Sequence, residues 1–228
     1  AMTKSTGAWV AGSGNGGGFV AAANSQVQHW FVIMKADLTV DVGWDTSTTA
    51  ANIPAGYTFF TYLFSVKLNA TQNYVPFDAY ATDALVDIRL RTSILADNAT
   101  NPGTAARTLT LNTTAGGCPT GFVFDALISG SFFVTDAAGG VDNYIYYSPL
   151  AATDEAPTGA AQSSTVENAQ MSTRAGLVGQ NTETAWSGRI RTNTSAQIRQ
   201  RLNSSQASTI VNTGILAYAA PRGNAAYY

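Results

Sequence analysis

Residues 38–44, LTVDVGW, decide the fold class of this chain. Apolar side chains occupy every second position of the stretch: Leu38, Val40, Val42 and Trp44. Successive side chains of a β-strand point to opposite faces, so this order gives one apolar face and one face with Thr39, Asp41 and Gly43. The pattern predicts a half-buried β-strand.

The same alternation occurs in two further stretches. Residues 58–68, TFFTYLFSVKL, are expected to point Phe60, Tyr62, Phe64, Val66 and Leu68 inward and Thr61, Ser65 and Lys67 outward. Residues 85–92, LVDIRLRT, are expected to point Val86, Ile88 and Leu90 inward and Asp87, Arg89 and Arg91 outward. Both stretches therefore predict strands of the same kind.

Strand signals continue along the chain at 107–114, 121–134, 144–150, 185–192, 197–203 and 208–218. Turn-forming segments such as GSGNGGG, IPAGY and NPGTA separate the strands, because Gly supplies positive φ and Pro fixes φ near −65°. No window gives a convincing amphipathic helix, and residues 163–177 favour a short helix or a loose loop. We therefore predict an all-β protein, an antiparallel β-sandwich that is jelly-roll-like and has little or no helix.

One domain is expected for most of the chain. A length of 228 residues with 45% apolar side chains is enough to bury a core. Residues 1–6 are expected to be a cloning remnant or linker, and residues 7–228 a single β-sandwich module. Residues 151–170, AATDEAPTGAAQSSTVENAQ, offer almost nothing to bury, and we expect a long polar loop there.

The charge of the chain excludes some partners. The formal net charge is −2 and no basic tract occurs, so we expect no nucleic-acid partner. No apolar run approaches the roughly 18 residues of a membrane span, so no membrane insertion is expected either.

Residues suited to catalysis or metal binding are scarce. The chain has a single histidine, His29, and a single cysteine, Cys118, so the usual zinc or iron ligand sets are missing. We expect a strand-end histidine and an inert thiol. Asp37, Asp41 and Asp45 have a spacing that places them on one strand face, where solvation or pairing with arginines is favoured over paired-carboxylate catalysis. We predict no catalytic residues, no metal and no cofactor; calcium stays open, because Asp side chains and loop carbonyls suffice for it.

Residues 189–202, RIRTNTSAQIRQRL, carry four arginines: Arg189, Arg191, Arg199 and Arg201. With 12 Lys and Arg in all, a third of the basic charge lies in this segment. If TNTSA is the turn of a hairpin, alternation places the four arginines on one face and Ile190, Ile198 and Leu202 on the other. Like charges on one face need compensation. Carboxylates such as Asp41, Asp45 or Asp87, or a neighbouring subunit, are favoured over an anionic ligand.

Aromatic residues are the candidates for contact with a neutral glycan. Their rings offer stacking faces and their hydroxyl or indole groups offer hydrogen bonds. The candidate residues are Tyr144, Tyr146, Tyr147, Trp186, Tyr227 and Tyr228. Packing in the core or at an interface is the alternative for the same residues.

The order of segments resembles a module of tail-fibre and related tail proteins of bacteriophages and prophages. The likeness runs from about Gly7 to Tyr218, beginning at GAWVAGSGNGGG and continuing through AANSQVQHWFVIMK. Its most specific parts are the turn DTSTTAANIPAGYT, the turn NPGT before a strand, and the segment TNTSAQIR.

This resemblance implies a virion protein of the phage tail, made in the bacterial cytoplasm, without enzymatic activity. It further implies a homotrimer, contact with other tail proteins, and host surface polysaccharide or lipopolysaccharide as the receptor. The leading hypothesis is a receptor-binding module for host attachment. A purely structural virion component, such as a connector, decoration or oligomerising fibre domain, is the second hypothesis, and a polysaccharide-degrading enzyme is the third.

Overall fold

The computed structural model describes residues 1–82, 85–135, 142–157, 169–174, 181–203 and 209–221. The described residues form β-strands joined by turns and loops, without a helix, which confirms the predicted all-β class. They contain no helix long and apolar enough to cross a membrane.

The described part of the chain contains sixteen strands. They are β1 (Lys4–Ala8), β2 (Asn15–Gly18), β3 (Val27–Lys35), β4 (Val40–Asp45), β5 (Tyr57–Lys67), β6 (Phe77–Ala81), β7 (Leu85–Thr100), β8 (Arg107–Thr110), β9 (Asn112–Thr113), β10 (Gly116–Gly117), β11 (Asp125–Thr135), β12 (Asp142–Pro149), β13 (Ala169–Arg174), β14 (Asn181–Arg191), β15 (Gln197–Leu202) and β16 (Ile210–Pro221).

Three sheets carry the fold. The first sheet has the order β1-β2-β4-β3-β5, the second has the order β14-β11-β16-β7-β6, and the third has the order β13-β12-β15-β8. A short ribbon pairs β9 with β10. The pairing is antiparallel except where β2 runs parallel to β1 and to β4.

The second sheet forms one layer of a sandwich, and the first and third sheets both pack on its inner face. Tyr147 of the third sheet places its hydroxyl 2.9 Å from that of Thr213 in β16. Tyr218, also in β16, donates a hydrogen bond to the carbonyl of Ser65 in the first sheet. A β-bulge between Ile215 and Ala217 keeps Tyr218 on the same face as Thr213. The β-sandwich is therefore established, while the jelly-roll order of its strands stays a prediction.

The predicted facing of residues 58–68 is wrong in its second half. Trp30 pairs with Phe64 and Phe31 pairs with Tyr62, so Leu63 is an extra residue in β5. A bulge of this kind reverses the phase of alternation. Ser65 and Lys67 consequently point into the main core, where they are 0% and 7% exposed.

The apolar face of residues 38–44 likewise points away from the main core. Val42 and Trp44 lie on the outer face of the first sheet, and Trp44 packs with Trp30 and Val66 in a second small cluster. Leu38 lies outside β4, in the turn before it, with a φ of 68°. Asp41 occupies the opposite, buried face of β4.

The helix candidate at 163–177 is also corrected. Residues Ala169–Arg174 form β13, which pairs antiparallel with β12, because strand pairing satisfies their backbone groups. The remaining residues of that segment, and residues 158–168 of the predicted long loop, lie outside the described residues.

The motifs that carry the resemblance are turns held by polar side chains. The Asp45 carboxylate accepts hydrogen bonds from the backbone N–H of Thr46 at 2.7 Å and of Asn52 at 2.8 Å. The Asn193 side-chain oxygen accepts from the backbone N–H of Ser195 and Gln197. The side chains of Asp45 and Asn193 therefore hold the loops at the strand ends through hydrogen bonds to the loop backbone.

Candidate functional site

The four arginines of residues 189–202 do not share one hairpin face. Arg189 and Arg191 lie in β14, which pairs with β11 in the second sheet. Arg199 and Arg201 lie in β15, which pairs with β12 and β8 in the third sheet. The predicted single arginine face is therefore wrong. Its alternation is correct, because Ile190, Ile198 and Leu202 are all buried in the common core.

The third-sheet arginines hold the start of the polar loop. Arg201 donates to Asp154 at 2.8 Å, and Arg199 approaches the same carboxylate at 3.8 Å. Arg199 also donates to the carbonyls of Ala152 and Leu150, at 2.8 and 3.1 Å. These contacts fasten residues 150–154 against the sheet, so the compensation is internal, as favoured from the sequence.

Most of the predicted aromatic ligand residues are not exposed stacking faces. Tyr147 is 0% exposed, and its hydroxyl accepts a hydrogen bond from Gln200 at 3.1 Å, while Tyr146 is 6% exposed. The proposal of ligand contact is wrong for both, since strand alternation and the loop over the sheet bury them. Tyr144 is half-buried. Trp186 is half-buried and packs against Tyr147 with ring centroids 4.5 Å apart. Tyr227 and Tyr228 lie outside the described residues.

A different polar surface forms on the outer face of the second sheet, and we name it the Arg-Asp surface. Two rows of residues cross the sheet from β6 to β14 through β7, β16 and β11. One row is Tyr80, Asp87, Ala219, Asp125 and Arg191, and the other is Asp78, Arg89, Ala217, Leu127 and Arg189. Arg91 extends the surface by one position along β7.

Ion pairs order the long side chains of the Arg-Asp surface. The Asp87 carboxylate forms ion pairs with two guanidinium groups, with the Arg89 Nε at 2.9 Å and the Arg189 Nη2 at 3.1 Å. Arg189 reaches Asp87 from three strands away and therefore lies across the small side chains of Ala217 and Ala219. Arg91 binds Asp78 at 2.6 Å.

The same contacts fix the charges of the surface. Partial burial raises the pKa of Asp87, but the hydrogen bonds from Arg89 and Arg189 outweigh it and the net pKa is lowered. The hydrogen bond from Arg91 lowers the pKa of Asp78, although burial acts slightly against it. Both carboxylates are ionised at neutral pH. The surface contains four arginines and three aspartates, namely Arg89, Arg91, Arg189, Arg191, Asp78, Asp87 and Asp125. The surface therefore has an excess of one positive charge.

Its exposed groups suit a ligand with hydroxyls and acidic substituents. The side chains of Arg89 and Arg91 are 62% and 64% exposed. Tyr80 is 54% exposed, and the Arg89 guanidinium lies 5.0 Å from the centroid of its ring. Guanidinium groups bind carboxylate and phosphate in a bidentate manner, and an aromatic face stacks on a sugar ring.

The buried histidine belongs to an internal network. His29 lies in β3, is 3% exposed, and has its Nδ1 2.6 Å from the Ser65 hydroxyl, which lies 2.7 Å from the Tyr62 hydroxyl. Burial lowers the pKa of His29 to about 4, although the Asp45 charge partly opposes that effect. His29 is therefore neutral at physiological pH and structural, but it is an interior residue rather than the expected strand-end residue.

The predicted carboxylate row of β4 is also internal. Asp41 is 2% exposed, binds Lys4 at 3.1 Å and accepts from the Gly12 N–H at 2.9 Å. Asp45 is 0% exposed. Neither residue is available to the arginines, because the two face the interior. Asp37 alone of the three is exposed, in the turn after β3.

A second, apolar feature lies on the outer face of the first sheet. It is a pocket of about 380 Å³ whose wall includes Trp30, Phe64, Tyr74, Phe77 and Lys4. The ring of Phe64 stacks on Trp30 with centroids 6.1 Å apart. In the chain segments that the structure describes, no three His, Cys, Asp or Glu side chains lie close enough to hold a metal ion.

Part of the Arg-Asp surface was visible in the sequence. Residues 85–92 show Asp87, Arg89 and Arg91 at outward positions, and Asp87 is among the carboxylates expected to pair with Arg189. This pairing is confirmed at 3.1 Å. Tyr80 gave no signal, because only the pairing of β6 with β7 places it beside these residues. A scan against protein-family models and a search of curated proteins found no match for the chain.

Proposed function

We propose that this chain is a non-enzymatic module of a phage tail that attaches the virion to a host-surface glycan through the Arg-Asp surface. The resemblance of its segments to phage tail-fibre modules supports the virion context. We choose this surface because Tyr80, Arg89 and Arg91 are exposed there, next to two aspartates that form ion pairs with the arginines. Acidic polysaccharide or the phosphorylated core of lipopolysaccharide is the ligand class that fits it.

The geometry supports binding by a preformed surface. The ion pairs to Asp78 and Asp87 hold the arginines before any ligand arrives, which reduces the side-chain entropy lost on binding. A glycan acid group bound between Arg89 and Arg91 would add to these pairs without displacing them, because a guanidinium has five N–H donors.

The test is a binding measurement on immobilised glycans. The purified chain is passed over lipopolysaccharide, an acidic capsular polysaccharide and neutral dextran, and Kd is measured for each. We expect binding to the two acidic glycans that weakens as salt is raised, since exposed charges are screened. Arg91→Ala and Tyr80→Ala should each weaken it about tenfold, equivalent to about 1.4 kcal/mol.

Leu95→Ala is the matched control. Leu95 is 57% exposed, close to the 54% of Tyr80, and lies on β7 further along the same sheet, outside the two rows. The proposal is refuted if acidic glycans do not bind, or if all three variants bind as the unmodified chain does. Whole host cells stripped of surface polysaccharide extend the test, since binding to them should be lost.

A structural role in the virion is the second candidate function, and the apolar outer face of the first sheet favours it. Phe59, Val40 and Leu38 are 54%, 51% and 72% exposed, and the apolar pocket lies on the same face. Exposed apolar patches commonly mark protein contacts. Phage particles that assemble normally but do not adsorb after Tyr80→Ala would favour attachment, while failed assembly after Phe59→Lys would favour the structural role.

A further inference from the structure

Lys67 is a buried amine that no carboxylate of the described residues pairs with. It is the last residue of β5, is 7% exposed, and takes part in none of the ion pairs formed within the described ranges. Burial lowers the pKa of Lys67, because loss of water disfavours the charged ammonium. A larger fraction of this amine is therefore neutral than at an exposed lysine, and the neutral amine is the nucleophilic form.

Hydrogen bonds place this amine against the side chain of Asn112. The Lys67 Nζ donates to the Asn112 side-chain oxygen and, at 2.5 Å, to the backbone carbonyl of Thr113. Since a C=O bond is about 1.2 Å long, an amine in contact with the amide oxygen also lies close to the amide carbon, Cγ. Reacting atoms about 3–3.5 Å apart are in a near-attack arrangement. The contact therefore brings a nucleophile and an amide carbon to within reacting range.

The Asn112 amide is held on its other side as well. Its Nδ2 donates to the backbone carbonyl of Cys118 at 2.9 Å. Asn112 begins β9, which pairs antiparallel with β10, so its backbone is also fixed. The amide oxygen thus faces the amine while the amide nitrogen is turned away from it. Little reorganisation is needed before the two groups react, which favours an intramolecular reaction.

We propose that Lys67 and Asn112 join spontaneously through an isopeptide bond. The lone pair of the neutral Lys67 Nζ attacks the Asn112 Cγ, and a bond forms between these atoms. The bond from Cγ to Nδ2 breaks, and Nδ2 leaves as ammonia with one proton that comes from Nζ. One amine and one primary amide become one secondary amide and ammonia, so no oxidant, reductant or cofactor takes part.

Proximity is the source of the rate. Positioned groups in one molecule react as if at effective concentrations of about 10⁵–10⁸ M. The hydrogen-bond partners that the described residues offer to the two side chains are carbonyl oxygens and each other, so no acidic group contacts them to assist the departure of ammonia. The bond should therefore form slowly after folding, and faster at alkaline pH, where more of Lys67 is neutral.

The product would be a covalent link between two parts of the fold. Lys67 ends a strand of the first sheet, and Asn112 lies 45 positions further along the chain, directly after β8 of the third sheet. The link would keep these two parts together when the chain is unfolded. It lies away from the Arg-Asp surface and does not depend on the proposed glycan binding.

The test is the intact mass of the purified chain, measured fresh and after incubation at pH 9. We expect a species that is lighter than the sequence mass by one ammonia, in a fraction that grows during incubation. Proteolytic digestion should release a branched peptide that joins the segments around Lys67 and Asn112. Lys67→Arg, which keeps a hydrogen-bonding cation but removes the amine, should keep the full mass at these segments, and so should Asn112→Ala.

Lys35→Arg is the matched control. Lys35 also ends a strand, β3, but its Nζ lies over the Tyr57 ring, 5.1 Å from the centroid, and contacts no side-chain amide in the described part of the chain. This variant should form the branched peptide as the unmodified chain does. Near-ultraviolet circular dichroism checks that each variant is folded.

Peptide mapping separates the link from another loss of ammonia. An asparagine can also lose ammonia by cyclising onto its own backbone, but that product persists in Lys67→Arg and gives no branched peptide. The inference is overturned if the unmodified chain keeps its full mass after incubation, or if ammonia is lost without a branched peptide. The unmodified chain alone decides the question, whether or not the variants fold.

Discussion

Lowering the pH from 7 to 5 should destabilise this protein through His29. The buried side chain has a pKa of about 4, against 6.5 for the free group, and burial is the dominant cause. The difference corresponds to about 3 kcal/mol, since one pKa unit is equivalent to about 1.4 kcal/mol. His29 is 3% exposed, so solvent does not screen this effect.

The direction follows from proton uptake on unfolding. A depressed pKa in the folded state means that the unfolded chain binds a proton between pH 6.5 and 4 that the native chain does not bind. The stability is fully present above pH 6.5 and is lost as pH falls toward 4. At pH 5 the loss should be about 2 kcal/mol, since only part of the range has then been crossed.

Most of the groups that contact His29 are neutral, so the pH dependence can be assigned to His29 itself. Ser65 and Tyr62 are neutral, and Phe122 packs edge-on against the ring at 5.3 Å. Asp45 lies opposite His29 in the pairing of β4 with β3, and its charge opposes the lowering of the His29 pKa. The chain has a single histidine, so few other groups titrate between pH 5 and 7.

The assay is urea unfolding followed by tryptophan fluorescence at pH 7, 6, 5.5 and 5, with His29→Gln as the comparison. The amide keeps a hydrogen bond to Ser65 but does not titrate. The free energy of unfolding should fall by about 2 kcal/mol in the unmodified chain and much less in the variant. Equal pH dependence in the two proteins would refute the reasoning.

Three further predictions concern stability and can be checked by the same urea titration at pH 7. Gly130→Ala should destabilise the protein by about 1–3 kcal/mol, because its added Cβ would lie 2.6 Å from both the Asn212 carbonyl oxygen and the Trp186 Nε1; a neutral result would mean that both the backbone of β16 and the indole shift to make room. Asp45→Ala should cost about 2–4 kcal/mol through loss of the loop hydrogen bonds, and Asp45→Asn less. Tyr147→Phe should cost about 1–2 kcal/mol, since its hydroxyl binds Thr213 at 2.9 Å in the core, and an unchanged midpoint would contradict that contact.

Strand positions followed from alternation, but in the first sheet the direction in which the side chains face did not. The first sheet is apolar on both faces around Trp30 and Phe31, so an apolar side chain there gives no information about which face is the core. The extra Leu63 in β5 then reverses the phase in the middle of the strand. A bulge is selected by pairing with a neighbouring strand, which a single sequence does not specify.

The arginines were misplaced for a related reason. TNTSA forms a compact turn around Asn193, as expected, but the two strands it joins enter different sheets. A turn and an alternation pattern describe a hairpin and a sheet-to-sheet connection equally well. Sheet membership is decided by long-range partners, here β11 for one strand and β12 for the other.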